Sequence, residues 1–139
     1  MKTYRGSCTC GAVTFEADLD LSKGTIRCNC SFCKKARLWF AQAKGEQALR
    51  VTVGRDKLTD FQRAVAGRPA FLHLYFCRAC GVRPFSFAPA SPQLGEPFYA
   101  VNVCALDDAT EDELSAAPIH YVDGAHDNFA GPPANTKYL

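Results

Sequence analysis

Seven of the eight cysteines in this 139-residue chain fall into three tight groups, and their spacing limits the fold more than any other feature. The groups are Cys8-Thr9-Cys10-Gly11, Cys28-Asn29-Cys30-Ser31-Phe32-Cys33 and Cys77-Arg78-Ala79-Cys80-Gly81. Thiolates sharing one tetrahedral zinc sit at about 2.3 Å from the metal, so their sulfurs must approach to roughly 3.8 Å. Cys77 and Cys80 on a tight turn meet this condition, and Gly81 relaxes the backbone just beyond them. Cys8 and Cys10 converge if the chain bends, which Gly11 permits. Together these four would make a closed site tying residue 10 to residue 77, a clamp that contributes folding energy outright.

Cys28, Cys30 and Cys33 supply three thiolates within six residues. Three protein ligands and an open fourth position are the pattern of a catalytic zinc rather than a structural one. Thiolates are soft ligands, which favours zinc over magnesium or calcium and leaves an Fe–S cluster as the competing assignment. Spacing alone leaves open which cysteines share a metal, and disulfides or a redox dithiol at Cys77/Cys80 are the other readings. No apolar run of signal-peptide length follows Met1-Lys2-Thr3, and no stretch approaches the roughly 20 apolar residues of a membrane helix. The expected compartment is therefore the cytoplasm, where clustered cysteines point to metal or catalysis rather than to disulfides. Cysteine also makes up only about 6% of the chain, under the roughly 8–10% of disulfide-built scaffolds. Cys104 stands alone on an apolar strand end and is expected to be a small core residue.

The length suits one domain, taken as 1–139 with a core at about 3–123 and an irregular tail at 124–139. Strands are expected at Ala12–Ala17, Ala48–Gly54, Phe71–Phe76 and Phe98–Val103, and Leu38–Ala41 fits a strand or a helical turn. Gly and Pro punctuate these runs, among them Gly67-Arg68-Pro69. One segment reads as a helix, Asp108–Leu114, which opens on cap-forming residues and acids. The class is mainly β.

Charge is nearly balanced, with 16 Lys+Arg against 14 Asp+Glu. That argues against a dedicated nucleic-acid or anionic-membrane binder, whose phosphate contacts need clustered positive charge. The local exception is Arg27, Lys34, Lys35 and Arg37 around the three-cysteine group, which would hold thiolates ionised and could receive an anionic substrate. His73 is expected to be a satisfied strand histidine, with a supporting contact to the metal as the sharper alternative. His120 and His126 show no ligand spacing.

Gly6–Glu16, Cys28–Lys35, Phe76–Phe85 and Val101–Asp108 together resemble the glutathione-dependent formaldehyde-activating family, which includes centromere protein V. The resemblance spans about residues 3–123. It implies an Mss4-like fold of short antiparallel strands with zinc-binding turns. It implies a structural zinc on Cys8, Cys10, Cys77 and Cys80 and a second, exchangeable or catalytic zinc on Cys28, Cys30 and Cys33. It also implies a carbon–sulfur lyase that adds glutathione, its co-substrate, reversibly to an aldehyde. Given such a substrate, the basic patch of Arg27, Lys34, Lys35 and Arg37 supplies candidates for the carboxylates of glutathione. The implied partners are a small-molecule thiol and an aldehyde. Asn29 stands where the family often has His, and the stretch from His120 to Phe129 lacks the family's Trp. The alternative is a non-catalytic zinc-binding module of the same fold, with a binding or chaperone role.

Overall fold

Residues 1–64, 70–92 and 94–139 are described by the computed structural model. Gly67-Arg68-Pro69 lies outside them. The fold is mainly β, as the patterning implies. Among the described residues, β1 (Lys2–Ser7), β2 (Thr14–Leu19), β3 (Thr25–Cys28) and α1 (Ser31–Ala36) come first. β4 (Phe40–Lys44), β5 (Leu49–Val53), β6 (Leu58–Gln62), β7 (His73–Cys77) and β8 (Phe85–Ala88) follow. β9 (Phe98–Asn102), α2 (Glu111–Ala116) and β10 (Ile119–Val122) complete the set. Two sheets result, one ordered β1-β2-β5 and the other β10-β3-β4-β9-β8-β7-β6.

The core lies between the sheets. In β2 alternation turns Phe15, Ala17 and Leu19 inward, and β4 answers with Ala41 and Ala43, whose small side chains fit a close inter-sheet spacing. Phe15 meets Phe85 of the larger sheet edge-on at 5.3 Å between ring centroids, a favoured aromatic geometry. A second, smaller cluster of Cys8, Val13 and Cys77 is sealed by Ala12, Leu58 and Val82. Two members of the four-cysteine group, Cys8 and Cys77, are thus packed in the interior, while Cys10 and Cys80 are exposed.

Four details depart from the sequence expectations. α1 was not foreseen, because six residues are too few to display a helical period. Cys104 is exposed rather than buried. The Asn102 side chain accepts from the Cys104 N–H at 3.1 Å, and the chain leaves β9 in a tight helical turn that buries Val103 and Ala105 and turns Cys104 outward. The sheets are antiparallel except that β10 runs parallel to β3, with Val122 opposite Cys28. The helix expected from Asp108 begins at Glu111, because Thr110 is the cap: its hydroxyl accepts from Glu113 N–H while the Glu113 carboxylate accepts from Thr110 N–H.

Glu113 also takes hydrogen bonds from Lys2 and from the Tyr4 hydroxyl. The Thr110 N–H first, then Lys2 and Tyr4, hold its carboxyl well down, at about 2. A carboxyl depressed in the folded state stabilises the fold above its unfolded pKa and loses that contribution as pH falls toward the folded value. Thermal stability is therefore expected to drop between about pH 5 and pH 2, and Glu113→Gln should flatten that part of a Tm-against-pH profile. An unchanged acid limb in the variant would contradict the assignment.

Candidate metal centres and their surroundings

The four-cysteine group is built from two turns of matching shape. In the first, Gly11 N–H donates to Cys8 O at 2.9 Å, and in the second Gly81 N–H donates to Cys77 O at 2.7 Å. Both glycines have positive φ, 72° and 76°, a backbone region that disfavours side chains. Cys8 N–H then bonds Val13 O and Cys77 N–H bonds Val82 O, closing each turn on its own valine. The Sγ atoms of Cys8 and Cys10 lie 3.6 Å apart, and those of Cys10 and Cys77 lie 3.8 Å apart. These match the roughly 3.8 Å edge of a tetrahedron with metal–sulfur bonds of about 2.3 Å, so the donor set fits an ion closed in by four thiolates. N–H groups of Val82 and Cys10 directed at Cys80 bring its thiol down to about 6, which favours the ionised form a metal requires.

In the second group the ligand atoms of Cys28, Cys30 and Cys33 all lie within 4.8 Å of one another. Cys28 ends β3, Cys30 caps α1 and Cys33 sits in its first turn. Cys30 N–H points at Cys28 Sγ and Cys33 N–H at Cys30 Sγ, each at 3.4 Å. The thiols of Cys28 and Cys33, and then the Cys33 N–H, hold Cys30 far below the ordinary thiol range, at about 2. Cys28 is pushed up, first by its hydrogen bond to Cys30. Cys33 is also pushed up, first by its hydrogen bond to Cys28 and then by Cys30 and burial. The three thiols thus oppose one another's ionisation, with Cys30 favoured as the thiolate and Cys28 and Cys33 disfavoured.

A loop after β10 covers this group. Asn29 is 5% exposed and uses both ends of its amide. Its Nδ2 donates to Asp123 Oδ1 at 2.6 Å, and its Oδ1 accepts from Ala125 N–H at 2.9 Å. Asp123 also pairs with His126 Nδ1 at 2.8 Å. These bonds seat Gly124 so closely that a Cβ there would lie 2.6 Å from Cys28 Sγ. Asn29→Ala would leave Asp123 and the Ala125 N–H without this partner, at an expected cost of about 1–3 kcal/mol, measurable by denaturant unfolding. A cost under a few tenths would show that the loop is held by other contacts.

Arg27, Lys34 and Arg37 line a small cavity with Cys28, Cys33, Leu38 and Leu139. Lys35 is exposed and is not among the lining residues. Arg27 also lies over the Trp39 ring at 5.2 Å. Two arginines unmarked by local sequence join the surroundings. Arg63 donates to Ser31 Oγ at 2.7 Å. Arg83 lies over Phe32 of α1 at 4.9 Å and over Phe76 of β7 at 5.2 Å, tying the second cysteine group to the third. His73 is satisfied by Asp60 Oδ2 at 2.7 Å and stacks on Tyr75. His120 and His126 are both exposed.

A mainly β protein with one four-thiol and one three-thiol centre, the latter edged by cations, is a defined class. The chain belongs to the glutathione-dependent formaldehyde-activating enzyme family, whose profile matches residues 3–123. A protein of Halomonas elongata named for the same family is 30% identical over 96 residues. The match covers 67% of this chain but only 61% of that relative's length. A crystal structure of a Rhodobacter sphaeroides protein superposes with a TM-score of 0.65 at 30% identity, covering 83% of this chain and 98% of that one. Among the described residues, no helix is long and apolar enough to cross a membrane.

Proposed function

We propose that the chain is a zinc-dependent carbon–sulfur lyase acting on glutathione–aldehyde adducts of the S-hydroxymethylglutathione kind. The observation that carries this is the three-thiol group with a cation-lined cavity at its side, in a chain whose family is glutathione-dependent. Cys8, Cys10, Cys77 and Cys80 would hold a structural zinc, while Cys28, Cys30 and Cys33 would hold an exchangeable one. At the second site, zinc would supply the positive charge that keeps a substrate thiol ionised at neutral pH. Arg27, Lys34 and Arg37 would receive the carboxylates of glutathione and orient its sulfur, with Lys35 further out. In the forward direction the sulfur attacks the aldehyde carbon and a C–S bond forms. The carbonyl π pair moves to oxygen, which takes up a proton to become the hydroxyl. The reverse breaks the same bond and returns thiolate and aldehyde. Holding the two reactants together supplies much of the rate. The family also implies an Mss4-like architecture, and we extend the reading to a single domain over 1–139, from the chain's length, and a cytoplasmic setting, from its clustered cysteines.

The test is exchange between labelled formaldehyde hydrate and its glutathione adduct, followed by NMR with and without protein, alongside metal analysis. Acceleration of exchange together with two zinc ions per chain is the expected result. Exchange that the protein does not accelerate would overturn the lyase reading and favour the non-catalytic zinc module.

A further inference from the structure

We propose that residues 135–139 form a strap over the three-thiol group, which a peptide thiol must displace to reach it. The inference rests on the glutathione reading above. Leu139 is one wall of the cavity beside Cys28 and Cys33. That cavity measures about 10 Å³, the threshold for a single water, whereas ligand pockets run to about 300–1,000 Å³. With the strap in place the cavity cannot take a tripeptide.

The strap makes its own claim on the site's cations. Arg37 Nη1 donates to the carbonyl oxygen of Tyr138. The backbone of Arg37 is fixed, since its N–H bonds the carbonyls of Cys33 and Lys34 at the end of α1. A peptide carbonyl therefore sits where the proposed function needs a substrate carboxylate, and the chain's own segment imitates the substrate it excludes. The segment also carries internal shape. Leu139 N–H bonds Thr136 O at 3.1 Å, and Lys137 N–H bonds the Asn135 side chain at 3.0 Å. Its hold on the rest of the protein is light, because the Tyr138 side chain remains 44% exposed and Leu139 is only half-buried. A strap held in this way lowers the apparent affinity for substrate by the fraction of time it is open.

The test compares the full chain with one shortened to Ala134, both as purified with metal. Iodoacetamide labelling is mapped by mass spectrometry, with exposed Cys104 as the internal reference. Removal of the strap is expected to speed labelling at Cys28 and Cys33 by about tenfold relative to Cys104, and to tighten glutathione binding in calorimetry by a similar factor. Leu139→Asp in the full-length chain, which replaces the cavity wall, should shift both readouts in the same direction and decides the matter if the shortened chain does not fold. Equal labelling in all three proteins would overturn the strap. Failure of glutathione to bind any of them would instead overturn the proposed substrate, with the labelling ratios still deciding the strap.

Discussion

Cys77→Ala is expected to abolish cooperative folding at 37 °C, while Cys104→Ala leaves the melting temperature nearly unchanged. Cys77 is fully buried, and its thiol lies 3.8 Å from that of Cys10 on the far turn of the clamp. Structural zinc in small domains contributes roughly 10–16 kcal/mol, against a net stability of about 5–15 kcal/mol for a whole domain. In the proposed zinc-bound clamp, losing one of the four ligands would therefore cost a large part of what the fold has to spare. It also leaves a void in the cluster formed by Cys8, Val13 and Cys77. Exposed Cys104 has no such role, and surface substitutions usually change stability by less than about 0.5 kcal/mol. Near-UV circular dichroism during a thermal ramp, with metal counted per chain, makes the comparison. A folded Cys77→Ala protein with an unchanged transition would refute the clamp.

The second large effect is expected from Cys30→Ser, which should slow adduct exchange by at least about a hundredfold and lower metal content from two ions per chain to one. Serine is the informative replacement because it is among the best helix caps. Cys30 caps α1 by accepting from the Cys33 N–H, and a hydroxyl can do the same. The local backbone should survive while the most acidic thiol of the trio is lost. The melting temperature should move little, since the four-thiol clamp is untouched. Wild-type exchange rates in Cys30→Ser would remove the three-thiol group from the chemistry.

The cysteine groups were legible in the sequence because ligand convergence is a short-range demand, written in spacings of two or three residues and in the glycines behind them. Two sets of thiols meet, Cys8, Cys10, Cys77 and Cys80 in one and Cys28, Cys30 and Cys33 in the other, whereas spacing alone leaves the grouping open. Strand patterning worked where one face is buried, as in Phe15, Ala17 and Leu19. It failed for Cys104, where a single capping bond from Asn102 reverses which side faces inward. α1 was too short to carry a period. Gly124, Arg63 and Arg83 could not be read locally at all. Each acts on residues far away in the chain, brought in by the pairing of β10 with β3 and by the reach of Arg63 and Arg83 to Ser31 and Phe32 of α1. Asn29 carried a signal, a polar residue between two candidate ligands, but its partners lie near position 123.

The parallel register of β10 on β3 also means that the shell around Cys28 is completed by residues near the end of the described chain. The clamp closes on Cys80, whereas the shell around Cys28 is finished by Gly124 and Ala125. During synthesis from the N-terminus, the four-thiol site can therefore form while the three-thiol group is still uncovered. On that order, the three-thiol group would be the centre still open to a metal or an oxidant after the other four thiols had met.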